Sequence, residues 1–139
     1  MKAITKFNLI KLGFVLYIII LLRITIFRSS LSPTSFLHGK INIIPLENYF
    51  ILLSKGYIFQ FFYLLLGNIV WFIPFGIYMT KVKEYNTLKT VIYGLLFSFL
   101  IELIQFIFGT GLSETDDLIL NTLGCCIGIF LCRRNKKIP

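Results

Sequence analysis

The stretch SFLIELIQFIFGTGLSETDDLILNTLG, residues 98–124, decides how this chain is read. An apolar run carries Glu102 and Gln105, breaks at Gly109-Thr110-Gly111, and resumes behind Asp116 and Asp117 with Asn121 inside the second run. A charged side chain in the middle of hydrocarbon costs about 2.5–3.5 kcal/mol on insertion scales, so polar residues in such runs are rarely there by neglect. The two runs read as neighbouring membrane helices joined by a short turn, with polar groups near the turn.

The rest of the chain identifies the solvent as lipid. Of its 139 residues, 57% are hydrophobic and only 14% are charged. A soluble domain of this length could not cover so much apolar side chain. The expected fold is all-α and polytopic: a single domain, 1–139, with four spans near 7–27, 57–79, 88–108 and 115–133. About 20 apolar residues cross a bilayer core as a helix. The fourth span is short by apolar count, and Ser113-Glu114-Thr115-Asp116 fits a capping box that would start it early. Lys2 and Lys6 before the first span imitate a signal peptide, but Arg23 and Arg28 follow and no small-x-small cleavage site is present. An uncleaved first helix is the expectation.

The net charge of +8 does not point to nucleic acid, because Lys and Arg gather at the ends of the apolar runs. One side of a four-span protein carries Lys2, Lys6, Lys11, Lys81, Lys83, Lys89, Arg133, Arg134, Lys136 and Lys137. The other carries Arg28, Lys40 and Lys55, with Arg23 just inside the span. The positive-inside rule then places both termini in the cytoplasm, and loops one and three outside. Loop one contains INIIPLENYFILLSKG, residues 41–56. Pro45 suits a first helical turn, and Leu46, Tyr49, Phe50 and Leu53 share a helical face. A short interfacial or re-entrant helix is expected; an apolar loop without structure is the alternative.

Threading the spans brings the polar residues to similar depths. Glu102 lies roughly 9 Å below the outer end of span three at 1.5 Å per residue, with Gln105 and Ser98 one turn either side on its face. Asp116, Asp117 and Asn121 occupy the outer mouth of span four, and Asn68 lies midway along span two near Pro74, which removes one helical hydrogen bond. On span four, Asp117, Asn121, Gly124 and Gly128 share a face whose lower half is Gly-x-x-x-Gly, a close-packing surface that could serve within the chain or in a homodimer.

Glu102 has several readings: neutral in apolar surroundings it could act as a general acid, whereas beside Arg23 or Arg28 it would be ionised and hold helices together. Glu102, Asp116, Asp117 and Asn121 offer the oxygen ligands a hard cation prefers, but the spacing matches no loop motif, and no metal or other cofactor is assigned. His38 stands alone, and no Ser or Cys has a base at a readable spacing. The three cysteines, Cys125, Cys126 and Cys132, read as apolar packing residues, with Cys132 a weak acylation candidate beside Arg133.

These pieces resemble the VanZ-like family of small bacterial membrane proteins. The matching segments are Asn42-Ile43-Ile44-Pro45, GNIVWFIPFG over 67–76, Ser98-x-x-x-Glu102-x-x-Gln105, and DDLILNTLG over 116–124 with Gly128 one turn on. The resemblance implies a multi-pass protein of the bacterial cytoplasmic membrane, and the family's namesake is associated with low-level resistance to teicoplanin. Carried over by position, the family's signature falls on Arg28, Asn42, Pro45, Asn68, Pro74, Glu102, Gln105, Asp116, Asp117 and Asn121. Leu46 departs from the usual aromatic and Glu114 from a frequent Asp. Three functions follow as expectations. One is an accessory protein whose outward pocket (Arg28, Asn42, Asn68, Glu102, Gln105, Asp116, Asp117, Asn121) binds a membrane lipid, a lipid-linked precursor or a glycopeptide. The others are an intramembrane enzyme using Glu102 as acid or base, and a structural assembly partner.

Overall fold

In lipid a backbone must satisfy its own polar groups, so an apolar run of spanning length forms helix. The structure, a computed structural model, describes residues 2–26 and 39–134. Helix α1 is Lys2–Thr25, α3 is Ile58–Lys81, α4 is Thr87–Phe108 and α5 is Thr115–Arg134. All four are long and apolar enough to cross a membrane. Many of their large apolar side chains, among them Leu16, Phe59, Leu100 and Phe130, are exposed on the outer surface of the bundle. In water that surface would be untenable; in a bilayer it is the lipid-facing wall.

The helices are unequally enclosed. In the spanning window of α5, 44% of residues are buried, against 6% in α1. α5 is therefore the central helix, packed along α3 and α4, and α1 leans on the outside. α1 is held by aromatic contacts: Phe14 stacks on Tyr78 with centroids 3.6 Å apart, and the Tyr17 hydroxyl donates to the Trp71 carbonyl at 2.5 Å. Leu21 of α1 joins Phe72 and Ile101 in one core cluster, and Phe75, Cys125 and Ile129 form a second.

Glycines set the α3–α5 spacing. A Cβ on Gly124 would run into the Ile69 carbonyl, one on Gly128 into the Ile73 carbonyl, and one on Gly76 into the Cys125 carbonyl. The Gly-x-x-x-Gly face is thus filled by α3 of the same chain, which removes the surface from which a homodimer was argued. Pro74 lies inside α3 without ending it.

Two loops meet at one end of the bundle in an element the sequence reading did not contain. β1 (Lys40–Asn42) pairs in parallel with β2 (Leu112–Glu114), Asn42 opposite Glu114. This ladder corrects the capping-box expectation: Ser113 and Glu114 are strand, and α5 starts at Thr115. Helix α2, Glu47–Ser54, forms in loop one and rests on α3, with Tyr49 edge-on to Phe61 at 5.7 Å. Pro45 stands in the turn before α2 rather than in its first helical turn, because Leu46 caps the helix in a left-handed conformation, φ 63°. Cys132 is buried, with its thiol 3.8 Å from the Ile77 carbonyl, so acylation there would require the helix to leave its packing.

Candidate functional site

Near the ladder end of the bundle, α1 and α3 part and leave a cavity of about 520 Å³. That volume lies in the range of small-molecule sites, roughly 300–1,000 Å³. Its outer wall is apolar: Ile24 from α1, with Phe59, Phe62, Tyr63, Leu66, Val70 and Trp71 from α3. Each of these is also exposed on the lipid-facing surface, so the wall continues into the bilayer. Its floor is polar and comes from three helices: Asn68 of α3, Glu102 and Gln105 of α4, and Asp117 and Asn121 of α5.

Helical spacing produces this floor. Glu102 and Gln105 are three apart on α4, and Asp117 and Asn121 four apart on α5, so each pair stacks on one face. The pairs are tied together. Asn68 donates its amide to Asp117. The Asn121 amide donates to Ser98 Oγ at 2.8 Å, and Ser98 is fully buried beneath the floor. Glu102, 4% exposed, accepts the Glu114 backbone N–H at 2.9 Å, which links the floor to the first residue before α5. A buried hydrogen bond of this kind contributes roughly 0.5–1.5 kcal/mol net.

Gln105 is the exception. Its amide nitrogen donates to the Thr25 carbonyl at the end of α1, 3.0 Å away. Its Oε1 is buried and has no hydrogen-bond partner among the described residues. An acceptor left so costs about 1–3 kcal/mol, which a ligand or water could recover.

Two of the residues assigned to the site from sequence lie elsewhere. Asp116, 2% exposed, accepts the Leu46 N–H with both carboxylate oxygens, at 2.8 and 2.9 Å. Asn42 Oδ1 accepts the Ile44 N–H at 3.0 Å in an Asx turn, and its carbonyl accepts from the Thr115 hydroxyl. Neither lines the cavity; both fasten loop one to the start of α5. Since Asp116 is turned to the loop, the four oxygen-bearing residues do not converge, and no cluster of three metal-ligating side chains occurs among the described residues. Arg28 and His38 lie outside the described residues.

Tyr49 is a site neighbour that sequence reasoning took for an apolar face residue. Burial pushes its phenol well above the ordinary value, with Asp117, Glu114 and Asp116 adding to the effect, so it remains a neutral hydroxyl. Asn48, beside it, donates to Glu114. The helical period that located α2 carries no information about which of its hydroxyls and amides meet α5.

The family model described as VanZ/LLP1 matches residues 14–136. Over 74 residues the chain is 35% identical to Protein VanZ of Enterococcus faecium, a match taking in 52% of this chain and 46% of that protein. The matched region therefore spans a little under half of that relative's length. No solved structure matches.

Proposed function

We propose, from the premise that this chain belongs to the VanZ/LLP1 family of membrane proteins, that it is a binding protein of the cell envelope whose cavity takes an amphiphile from the bilayer. The observation that carries this reading is the cavity's two-sided chemistry: a lipid-facing apolar wall over a floor of Asn68, Glu102, Gln105, Asp117 and Asn121. An acyl or prenyl chain leaves the surrounding hydrocarbon for Phe62, Leu66 and Val70 at little cost, since that wall is as apolar as lipid. Its head group gains only where it completes hydrogen bonds, which the floor offers and lipid does not. The pattern of basic residues supports insertion in the bacterial cytoplasmic membrane with both termini inside, so that the cavity opens in the outer leaflet. An envelope lipid, a lipid-linked precursor or a lipid-tailed glycopeptide fits this position. A part in teicoplanin tolerance follows from the resemblance to VanZ. Arg28, outside the described residues, is carried over from the family resemblance as the partner of an anionic group on such a ligand.

The test is binding of such molecules by the purified full chain, with Val70→Trp to fill the cavity, and Glu102→Gln and Arg28→Ala to alter the polar groups. Val70→Trp is expected to weaken binding about tenfold or more. Unchanged affinity in all three variants contradicts the reading. A structural role is the second reading, favoured by the bonds from Glu102 to Glu114 and from Asn121 to Ser98. It predicts that the variants shift thermal stability alone.

A further inference from the structure

We infer that the head group this cavity selects is a hydrogen-bond donor, a hydroxyl or a protonated amine, recognised by Gln105 Oε1 and the Glu102 carboxyl. The inference rests on the amphiphile-binding reading above and deepens it by naming the ligand's chemistry.

The floor is rich in acceptors. Gln105 is 7% exposed and lines the cavity, yet its Oε1 is bonded to nothing among the described residues. Its amide is not free to turn and exchange roles. The nitrogen is fixed on the Thr25 carbonyl, so the oxygen must be the unsatisfied end. Glu102, one turn away on the same face, receives the Glu114 N–H on Oε2, as an acceptor does. The amides nearby each donate one N–H to a neighbour, Asn68 to Asp117 and Asn121 to Ser98, and neither bonds Gln105 Oε1. Among the described residues no Lys, Arg or His lines the cavity. A head group that only accepts would leave Gln105 Oε1 unsatisfied. A donor head satisfies it. Discrimination of this kind is asymmetric, because a polar group buried for pairing rejects a ligand that cannot pair with it.

The protein supplies its own reporter. Trp71 is the sole tryptophan of the chain and belongs to the cavity wall. Bromine atoms on a bound acyl chain quench its fluorescence. Purified full chain in detergent is titrated with three dibrominated eighteen-carbon probes that share a tail: a monoacylglycerol with two hydroxyls, a primary amine, and a methyl ester that can only accept. Saturable quenching is expected from a donor probe at a half-saturation about fivefold to tenfold below that of the ester, the ratio one or two buried hydrogen bonds provide. Which donor binds more tightly assigns hydroxyl or ammonium. Gln105→Leu is expected to bring the preferred donor and the ester level. Val70→Phe, which narrows the apolar wall without altering a polar group or adding a second tryptophan, is expected to weaken all three together and serves should the Gln105 variant fail to fold. Equal half-saturation of donors and ester in the wild-type chain overturns this inference and leaves the amphiphile reading standing. Quenching by none of the probes, or quenching that Val70→Phe does not change, overturns both.

Discussion

One face of α5 behaves in opposite ways along its length. Away from the ladder, Gly124 and Gly128 let α3 approach until backbone meets backbone, with Gly76 returning the contact. Toward the ladder, the same face carries Asn121 and Asp117, whose side chains line the cavity. Identical backbone geometry gives a closed seam where the residue is hydrogen-sized and a hollow where it carries an amide or a carboxyl. Membrane helices lack a hydrophobic drive toward one another, so residue size and hydrogen bonding decide such contacts. The seam fixes the spacing of α3 and α5 beside the hollow.

Breaking the seam is expected to have the largest effect. Gly124→Leu places a branched side chain against the Ile69 carbonyl and is predicted to destabilise the protein by about 3 kcal/mol. Thermal or denaturant unfolding in detergent measures this. A neutral outcome would mean that α3 and α5 are not in backbone contact.

The loop clamp comes next. Asp116→Ala leaves the Leu46 N–H, in its left-handed turn, without an acceptor and is predicted to lose roughly 2 kcal/mol. Hydrogen exchange over 43–47 should accelerate while amphiphile binding changes little, since Asp116 is not on the cavity wall. A selective loss of binding would return Asp116 to the site.

Asn121→Ala sharpens the comparison from the other side. It removes one buried interhelical hydrogen bond to Ser98, and such bonds average about 0.6 kcal/mol in membrane proteins. A stability loss as large as that of Gly124→Leu would make the floor a fold element rather than a site.

Much of this was legible in the sequence, and what was not has a physical cause. Span positions follow from apolar length, and the alignment of Glu102 with Gln105 and of Asp117 with Asn121 follows from helical period. That Asn68, Glu102, Gln105, Asp117 and Asn121 share a cavity was accessible from span depth. Asn42 and Asp116 were misplaced because depth does not say which way a side chain turns. Asp116 and Asp117 are adjacent, so a helix sends them about 100° apart, one to the loop and one to the cavity. The ladder was invisible because two three-residue strands from distant loops carry no periodic signal. Their pairing depends on both loops arriving at the same end of the bundle. The capping box failed for the same reason: Ser113 and Glu114 had a tertiary alternative that a local motif could not weigh against.

The most direct test of a hollow above a closed seam is thiol reactivity toward an apolar maleimide in lipid nanodiscs. In a Cys126→Ala background, Asn68→Cys puts a thiol on the cavity wall, while native Cys125 and Cys132 are buried against helix backbone. The account predicts rapid labelling at position 68, none at 125 or 132 over the same interval, and suppression at 68 by adding Val70→Trp. Equal labelling at 68 and 125, or labelling at 68 that Val70→Trp leaves untouched, would contradict it.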